Sequence, residues 1–252
     1  MGIATSAIAP ILTQTRNDYC QQAQYFYQFE DEHHLTLSSR IKTEDTTRQK
    51  LRRQKESGNT TPLARIQDIA GLRVDGTFTL EGQDLVVDRI RSALLEVGAT
   101  EVRVKDIREA PHSGYRGVHL HVMSPSARLE VQVRTKLQSH WANLYEVVSD
   151  MLGRDIRYSE DAEGKKGAIL RELWKQSDES YAVEKAWMSM ISLDAQSSAL
   201  ETEDALDATD RDKISRLQAS LTEQLTMQSK YFIAARGSME ELRDHHATLG
   251  EP

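Results

Sequence analysis

Apolar residues recur along this chain in two periods, and the change from one to the other outlines its elements. Over residues 5–32, Ile11, Leu12, Tyr19, Ala23, Phe26 and Phe29 fall at roughly helical spacing, which predicts an amphipathic helix. KESGNTTP then reads as a loop ending at Pro62, after which IAGLRVD (69–75) reads as a short strand. Leu85, Val86, Ile90, Leu94 and Val97 form a helical stripe stopped by Gly98. EVRVKD alternates like a strand and EAPHSGY is a loop. Two strict alternations follow, RGVHLHVM (116–123) and RLEVQVR (128–134), separated only by SPSA, so the pair predicts a β-hairpin. Leu137, Trp141, Leu144, Val148 and Met151 then mark a helix with one buried seam. Further helices are predicted over 167–193 and 211–243, the second with a narrow stripe of Ile214, Leu217, Leu221 and Leu225, and 194–212 reads as a linker. The expected organisation is an N-terminal helical segment (1–39), one α/β domain (40–152) and a C-terminal helical region (153–252).

Composition bounds the class. With 252 residues, 38% hydrophobic and 28% charged, the chain suits a folded and rather polar protein. No apolar run approaches the length of a bilayer span, and no basic residue precedes the apolar start MGIATSAIAPILTQT, so neither a membrane segment nor a secretory leader is expected. Cys20 is the lone cysteine, which excludes an intrachain disulfide and a cysteine-rich zinc site and fits a reducing cytoplasm. The net charge of −7 argues against broad nucleic-acid wrapping, but the charge is separated. Arg40, Lys42, Arg48, Lys50, Arg52, Arg53 and Lys55 face only Glu44 and Asp45, leaving that window at +5; residues 194–212 stand at −6.

The hairpin carries the chemistry. Side chains alternate across a strand, so Leu129, Val131 and Val133 send Glu130, Gln132 and Arg134 to the opposite face. Val118, Leu120 and Val122 do the same for His119 and His121. One sheet face thus gathers a carboxylate, an amide, a guanidinium and two imidazoles. Around it in sequence stand the basic window, Asp68 at the mouth of a strand, Lys105 at the end of another, and a loop with Gly114 and Tyr115. Phosphoryl transfer uses these types: cations around phosphate oxygens, one or two carboxylates for Mg²⁺, and a group that orients the attacking hydroxyl. The sequence has no Walker A pattern, dinucleotide fingerprint or HExxH. His121, His140, His245 and His246 have no partner that the sequence can name, and Trp141 lies on an apolar seam.

DIAGLRV (68–74), VKDI…GYRGVH (104–119) and EVQVRT…Q..WA (130–142) resemble, in order and spacing, the synthetase domain of the RelA/SpoT alarmone synthetases, and RIKTEDTTRQK (40–50) resembles that family's ATP-binding stretch. The resemblance implies a nucleotidyltransferase-like α+β fold: a mixed sheet flanked by helices, with extra helices at both ends. It implies a GTP diphosphokinase that moves the β,γ-pyrophosphate of ATP to the 3′-hydroxyl of GDP or GTP. Arg40 and Arg73 would clamp adenine; Lys42, Thr46 and Lys50 would hold the phosphates of ATP. Asp68 and Glu130 would carry Mg²⁺, with Glu130 positioning or deprotonating the 3′-hydroxyl. Tyr115 would stack on the acceptor guanine, with Lys105, His112, His119, Gln132 and Arg134 around the acceptor phosphates and the reacting centre.

Some positions depart from the family pattern. Where it commonly reads PK.NGY this chain has PHSGY, one residue shorter, with His112 in place of the Lys; GYRG also replaces GYRS or GYQS. These departures lie on the acceptor side. They keep open a same-fold pyrophosphokinase acting on an adenine nucleotide or on the 3′ end of tRNA, as in toxin-type members, and a nucleotide-binding regulator without turnover. Residues 1–39 leave no room for the family's hydrolase domain, so a stand-alone synthetase is expected, as a homo-oligomer.

Overall fold

The computed structural model describes residues 1–28, 33–56, 58, 62, 66–67, 69–125, 127–153, 164–199 and 208–249. They form two compact units. The first comprises Met1–Ile107 and Gly117–Arg134, the second Arg108–Arg116 and Thr135–Pro252.

The first unit is a five-stranded sheet with helices. Its strands are β1 (Leu35–Ile41), β2 (Ala70–Gly76), β3 (Glu101–Asp106), β4 (Val118–Met123) and β5 (Arg128–Thr135), in the order β1-β2-β5-β4-β3. Helix α1 (Gly2–Tyr19) precedes β1, α2 (Glu44–Glu56) follows it, and α3 (Leu80–Glu96) joins β2 to β3. β1 runs antiparallel to β2, as β3 does to β4 and β4 to β5. β2 and β5 run parallel: a Cβ on Gly71 would lie 3.8 Å from the Glu130 carbonyl, and four residues further along both strands Asp75 meets Arg134. The sheet is therefore mixed and the class α+β, as the resemblance implies.

Period-two alternation places the core. Leu72 and Val74 of β2, Val118, Leu120 and Val122 of β4, and Leu129, Val131 and Val133 of β5 share one face and pack with Ile8 and Leu12 of α1 and Val86, Val87, Ile90 and Leu94 of α3. Thr79 starts α3 by accepting a hydrogen bond from the Gly82 N–H at 3.1 Å. The hairpin, the β3 strand and the stripe stopped at Gly98 all stand where the sequence pattern puts them. The first helix ends at Tyr19 rather than near residue 32, and Phe26 instead bridges to Phe78. The pattern also missed β1. As an edge strand it buries only the side of Leu35 and Leu37, and its other half is polar or exposed.

The second unit is built on α4 (Lys136–Leu152), α5 (Gly164–Ala199) and α6 (Ala208–Leu249), which pack on one another. Thr135 opens α4 with a capping box: its hydroxyl accepts from the Gln138 N–H, and the Gln138 side chain accepts from the Thr135 N–H, both at 3.2 Å. The expected linker 194–212 is helical at both ends, to Ala199 and from Ala208, and its middle lies outside the described residues. Of the narrow stripe on α6, Leu221 and Leu225 are buried while Leu217 is 46% exposed. Trp141 is buried, stacks on Tyr145 and donates its Nε1–H to the Leu173 carbonyl at 2.7 Å. Among the described residues no helix is long and apolar enough to cross a membrane.

Glu184 of α5 is fully buried in this unit, and its Oε1 has no hydrogen-bond partner among the described residues. Burial pushes its carboxyl up to about 7, against the lowering effect of hydrogen bonds from Thr135 and Gln138 and the charges of Arg108 and Arg116. The folded state therefore holds this proton more tightly than the unfolded chain, whose carboxyl titrates near 4.5. Stability falls as pH rises between those values, by on the order of 3 kcal/mol once both forms are ionised. Glu184→Gln should raise the urea midpoint at pH 8 well above its effect at pH 4.5; equal effects at both pH values would refute the assignment.

Candidate active site

The face of the sheet opposite the core is polar from edge to edge. Antiparallel partners share a face, so the registers Ser38↔Arg73, Lys105↔His119, Arg103↔His121 and His121↔Glu130 set out its composition. Arg40 lies two residues from Ser38 and Asp75 two from Arg73, so both belong to the same face. With Gln132 and Arg134 it gathers residues from all five strands. This is the face that alternation predicted for the hairpin, now extended to β1, β2 and β3.

Glu130 is its centre. The Glu130 side chain is 13% exposed, with His119 Nδ1 at 3.1 Å and His121 Nε2 at 3.4 Å from Oε1. Gln132 Nε2 donates to Oε2 at 2.9 Å. An ionised carboxylate has no proton to give, so the imidazole nitrogens are the donors. Burial alone would push the carboxyl up, but the bonds from His119, His121 and Gln132 outweigh it and hold Glu130 well below the usual carboxylate range. The group is a fixed negative charge at any physiological pH.

Arg134 is likewise committed. Its Nε donates to Asp75 Oδ1 at 2.9 Å and its Nη2 to Oδ2 at 3.2 Å, a two-pronged pair in which the Arg134 side chain is 2% exposed and Asp75 23%. Sequence reasoning missed Asp75. Its place two residues after Arg73 was the available signal, since that parity puts both on one face.

The remaining predicted residues divide between the units. Arg40 on β1, Arg73 on β2, Lys105 on β3 and His119 on β4 lie on the polar face. Lys42 follows β1, its backbone N–H bonded to the Ile69 carbonyl at 2.9 Å, and Lys50 lies on α2. Thr46 also falls within α2, although its side chain lies outside the described residues, as does Asp68 altogether. His112 and Tyr115 belong to the second unit. They flank a tight turn in which the Tyr115 N–H donates to the His112 carbonyl at 3.0 Å, and Ser113 and Gly114 take positive φ of 51° and 77°. Two central residues with positive φ define a type I′ turn. A Cβ on Gly114 would come within 2.8 Å of the Trp141 and Trp174 rings, so only glycine fits. The Gly114 carbonyl accepts from the Ser177 hydroxyl at 2.5 Å. Beyond the turn Arg116 pairs with Asp178 at 2.5 Å and lies over the Tyr181 ring, 4.4 Å from its centre.

Residues 39–149, which run from the end of β1 through the hairpin and most of α4, match the family model described as the region found in RelA / SpoT proteins. The chain carries a RelA/SpoT region. Over 129 residues it is 43% identical to uncharacterized proteins of Mycobacterium tuberculosis and Mycobacterium bovis, a match taking in 51% of this chain and 45% of each relative. The match thus spans about half the length of those curated relatives. The fold is shared with the crystal structure of small alarmone synthetase 1 from Bacillus subtilis, at 20% identity and a TM-score of 0.50, covering 77% of this chain and 94% of that one. The same enzyme bound to its product pppGpp matches with 19% identity, a TM-score of 0.50, and 77% and 95% coverage.

Within the RelA/SpoT region the turn explains one departure from the family pattern. Asn-Gly is the favoured pair for a type I′ turn, and Ser113-Gly114 keeps the turn with Ser in the left-handed position that Asn takes more readily. His121, for which the sequence names no partner, is a neighbour of Glu130.

Asp75→Ala should leave the buried Arg134 charge without its carboxylate. The expected loss is about 3 kcal/mol, at the lower end for a broken buried pair because Asp75 is partly open to water. Urea unfolding of the variant checks this, and a loss below about 0.5 kcal/mol, typical of a surface pair, would show that the pair carries no such weight.

Proposed function

We propose that the chain is a pyrophosphokinase that transfers the β,γ-pyrophosphate of ATP to the ribose 3′-hydroxyl of GDP or GTP. The observation that carries the reading is Glu130, an ionised carboxylate clamped by two imidazoles and an amide at the centre of the polar face of a RelA/SpoT region. The Bacillus subtilis enzyme that shares the fold forms pppGpp as its product, which supports nucleotide substrates for this chain as well.

In the proposed reaction the bond between the acceptor O3′ and the β-phosphorus forms. The bond from that phosphorus to the α–β bridging oxygen breaks, AMP leaves with the electron pair, and the hydroxyl proton passes to solvent. Such transfers pass through a loose transition state, so positioning and charge matter more than a strong base. A carboxylate held far below its ordinary range is a weak base but a good hydrogen-bond acceptor, so Glu130 aligns the 3′-hydroxyl. Arg40, Arg73, Lys42, Thr46 and Lys50 are the proposed ATP ligands, and Lys105, His112, Tyr115 and His119 the proposed acceptor ligands. Gln132 fixes the Glu130 carboxylate, and Arg134, braced by Asp75, lies further along the same face of β5.

The donor chemistry fits Mg²⁺: the ion takes one or two carboxylates and fills its shell with waters and phosphate oxygens, and Glu130 is ionised and partly open. Glu130 would hold it, with Asp68 as the second proposed ligand. When bound, the ion supplies neutralisation of the phosphate charge.

Purified chain given ATP, Mg²⁺ and, in parallel, GDP, GTP, ATP alone or tRNA should release AMP and form a 3′-pyrophosphorylated guanine nucleotide. Product confined to the adenine nucleotide or the tRNA 3′ end would reassign the acceptor, and no product in any arm would refute transfer. Glu130→Gln should lower turnover by about 100-fold or more with ATP binding little changed. Undiminished product formation would refute the role given to Glu130.

A further inference from the structure

We propose that His119, His121 and Glu130 form a binding site for a divalent transition-metal ion of the Zn²⁺ or Co²⁺ type, distinct in its donors from a Mg²⁺ site. One ligand atom from each of the three residues lies within 4.8 Å of the others. The hairpin sets this spacing. His119 and His121 are two apart on β4 and so share a face, and His121 stands directly across from Glu130 on β5.

The distances suit a cation. Zn²⁺ binds imidazole nitrogen and carboxylate oxygen at about 2.0–2.1 Å, which puts neighbouring ligand atoms of a tetrahedron about 3.3 Å apart. Here His119 Nδ1 and His121 Nε2 stand 3.1 and 3.4 Å from the one oxygen Oε1. An ion among them would replace the two protons now shared with Oε1, each neutral imidazole then carrying its proton on the other ring nitrogen. Gln132 already holds the second carboxylate oxygen, Oε2, an outer contact that fixes the ligand's orientation. The Arg103 guanidinium, across from His121 on the same face, is paired with Glu101. With a third of its side chain exposed, His121 leaves a way in and room for a water as fourth ligand.

Donor type decides which ion. Two nitrogens and one oxygen favour Zn²⁺, Co²⁺ and their neighbours, whereas Mg²⁺ takes oxygen ligands. Occupied, the site would withdraw Glu130 from the transfer reaction; that consequence rests on the proposed function, while metal uptake does not.

The test is Co²⁺ titration of the nucleotide-free full chain at neutral pH, followed by equilibrium dialysis and by the visible d–d absorption of the bound ion. The chain has 8 histidines, so site-specific variants are needed. Wild type should take up one Co²⁺ that His121→Leu and Glu130→Gln each weaken by more than the roughly 10–100-fold that loss of an outer contact costs, with His245→Ala unchanged. Circular dichroism establishes that each variant is folded; if His121→Leu is not, the near-isosteric Glu130→Gln decides alone. No uptake by wild type, or undiminished uptake by either folded variant, overturns the site.

Discussion

The polar face of this sheet exists because its other face is apolar. Leu129, Val131 and Val133 are all buried against the core, and alternate side chains of a strand cannot share a side, so Glu130, Gln132 and Arg134 have no other place to go. A one-residue slip of β5 would bury a carboxylate, an amide and a guanidinium and expose three aliphatic side chains. The register is therefore held by the hydrophobic effect, and the chemistry of the opposite face follows from it. The same alternation in β2 and β4 brings Arg73, Asp75, His119 and His121 to that face.

Gathering so many polar groups raises a solvation problem that the face settles locally. Glu130 and Arg134 are both largely withdrawn from water, and each has its own set of partners: two imidazoles and an amide for the one, Asp75 for the other. Buried charges without such partners would neutralise or destabilise the fold. The partners also restrict motion. A carboxylate bonded through both oxygens and a guanidinium bonded at two nitrogens have few rotamers left, so the face is ordered before any substrate arrives. A phosphate that sought Arg134 would have to compete with Asp75, which makes Arg134 better suited to hold the electrostatic frame than to grip a ligand by itself.

The sequence made some of this legible and left the rest hidden, for physical reasons. The hairpin could be read because two strict alternations of six or more residues, joined by a short polar link, fit little but paired strands with one buried face. The face assignment of His119, Glu130, Gln132 and Arg134 followed from it. β1 could not be read: an edge strand whose aliphatic residues are two half-buried leucines at one end and an exposed Ile41 at the other presents almost no period. Asp75 and His121 partner Arg134 and Glu130 from neighbouring strands, and a pairing across strands depends on register, which the sequence of either strand alone does not state. The turn at Ser113 and Gly114 was recognisable as a loop, yet the reason for its glycine lies in Trp141 and Trp174, which are distant in sequence.

The division into two units bears on the segment that carries His112 and Tyr115. The chain crosses between them at Ile107, Arg116 and Arg134, so the segment 108–116 is anchored in the sequence at both ends to strands of the first unit while its contacts belong to the second. Those contacts are specific: Ser177 holds the Gly114 carbonyl, Asp178 and Tyr181 hold Arg116, and Tyr181 and Lys185 both reach Glu109. One stretch of α5 thus fixes the loop that carries His112 and Tyr115. The proposed ATP ligands belong to the first unit, whereas the loop with His112 and Tyr115, the two residues proposed for the acceptor, is held by a helix of the second. Substitutions along residues 177–185 of α5 therefore bear on the loop proposed to meet the acceptor, and the departures from the family pattern fall on the part of the chain that this helix supports.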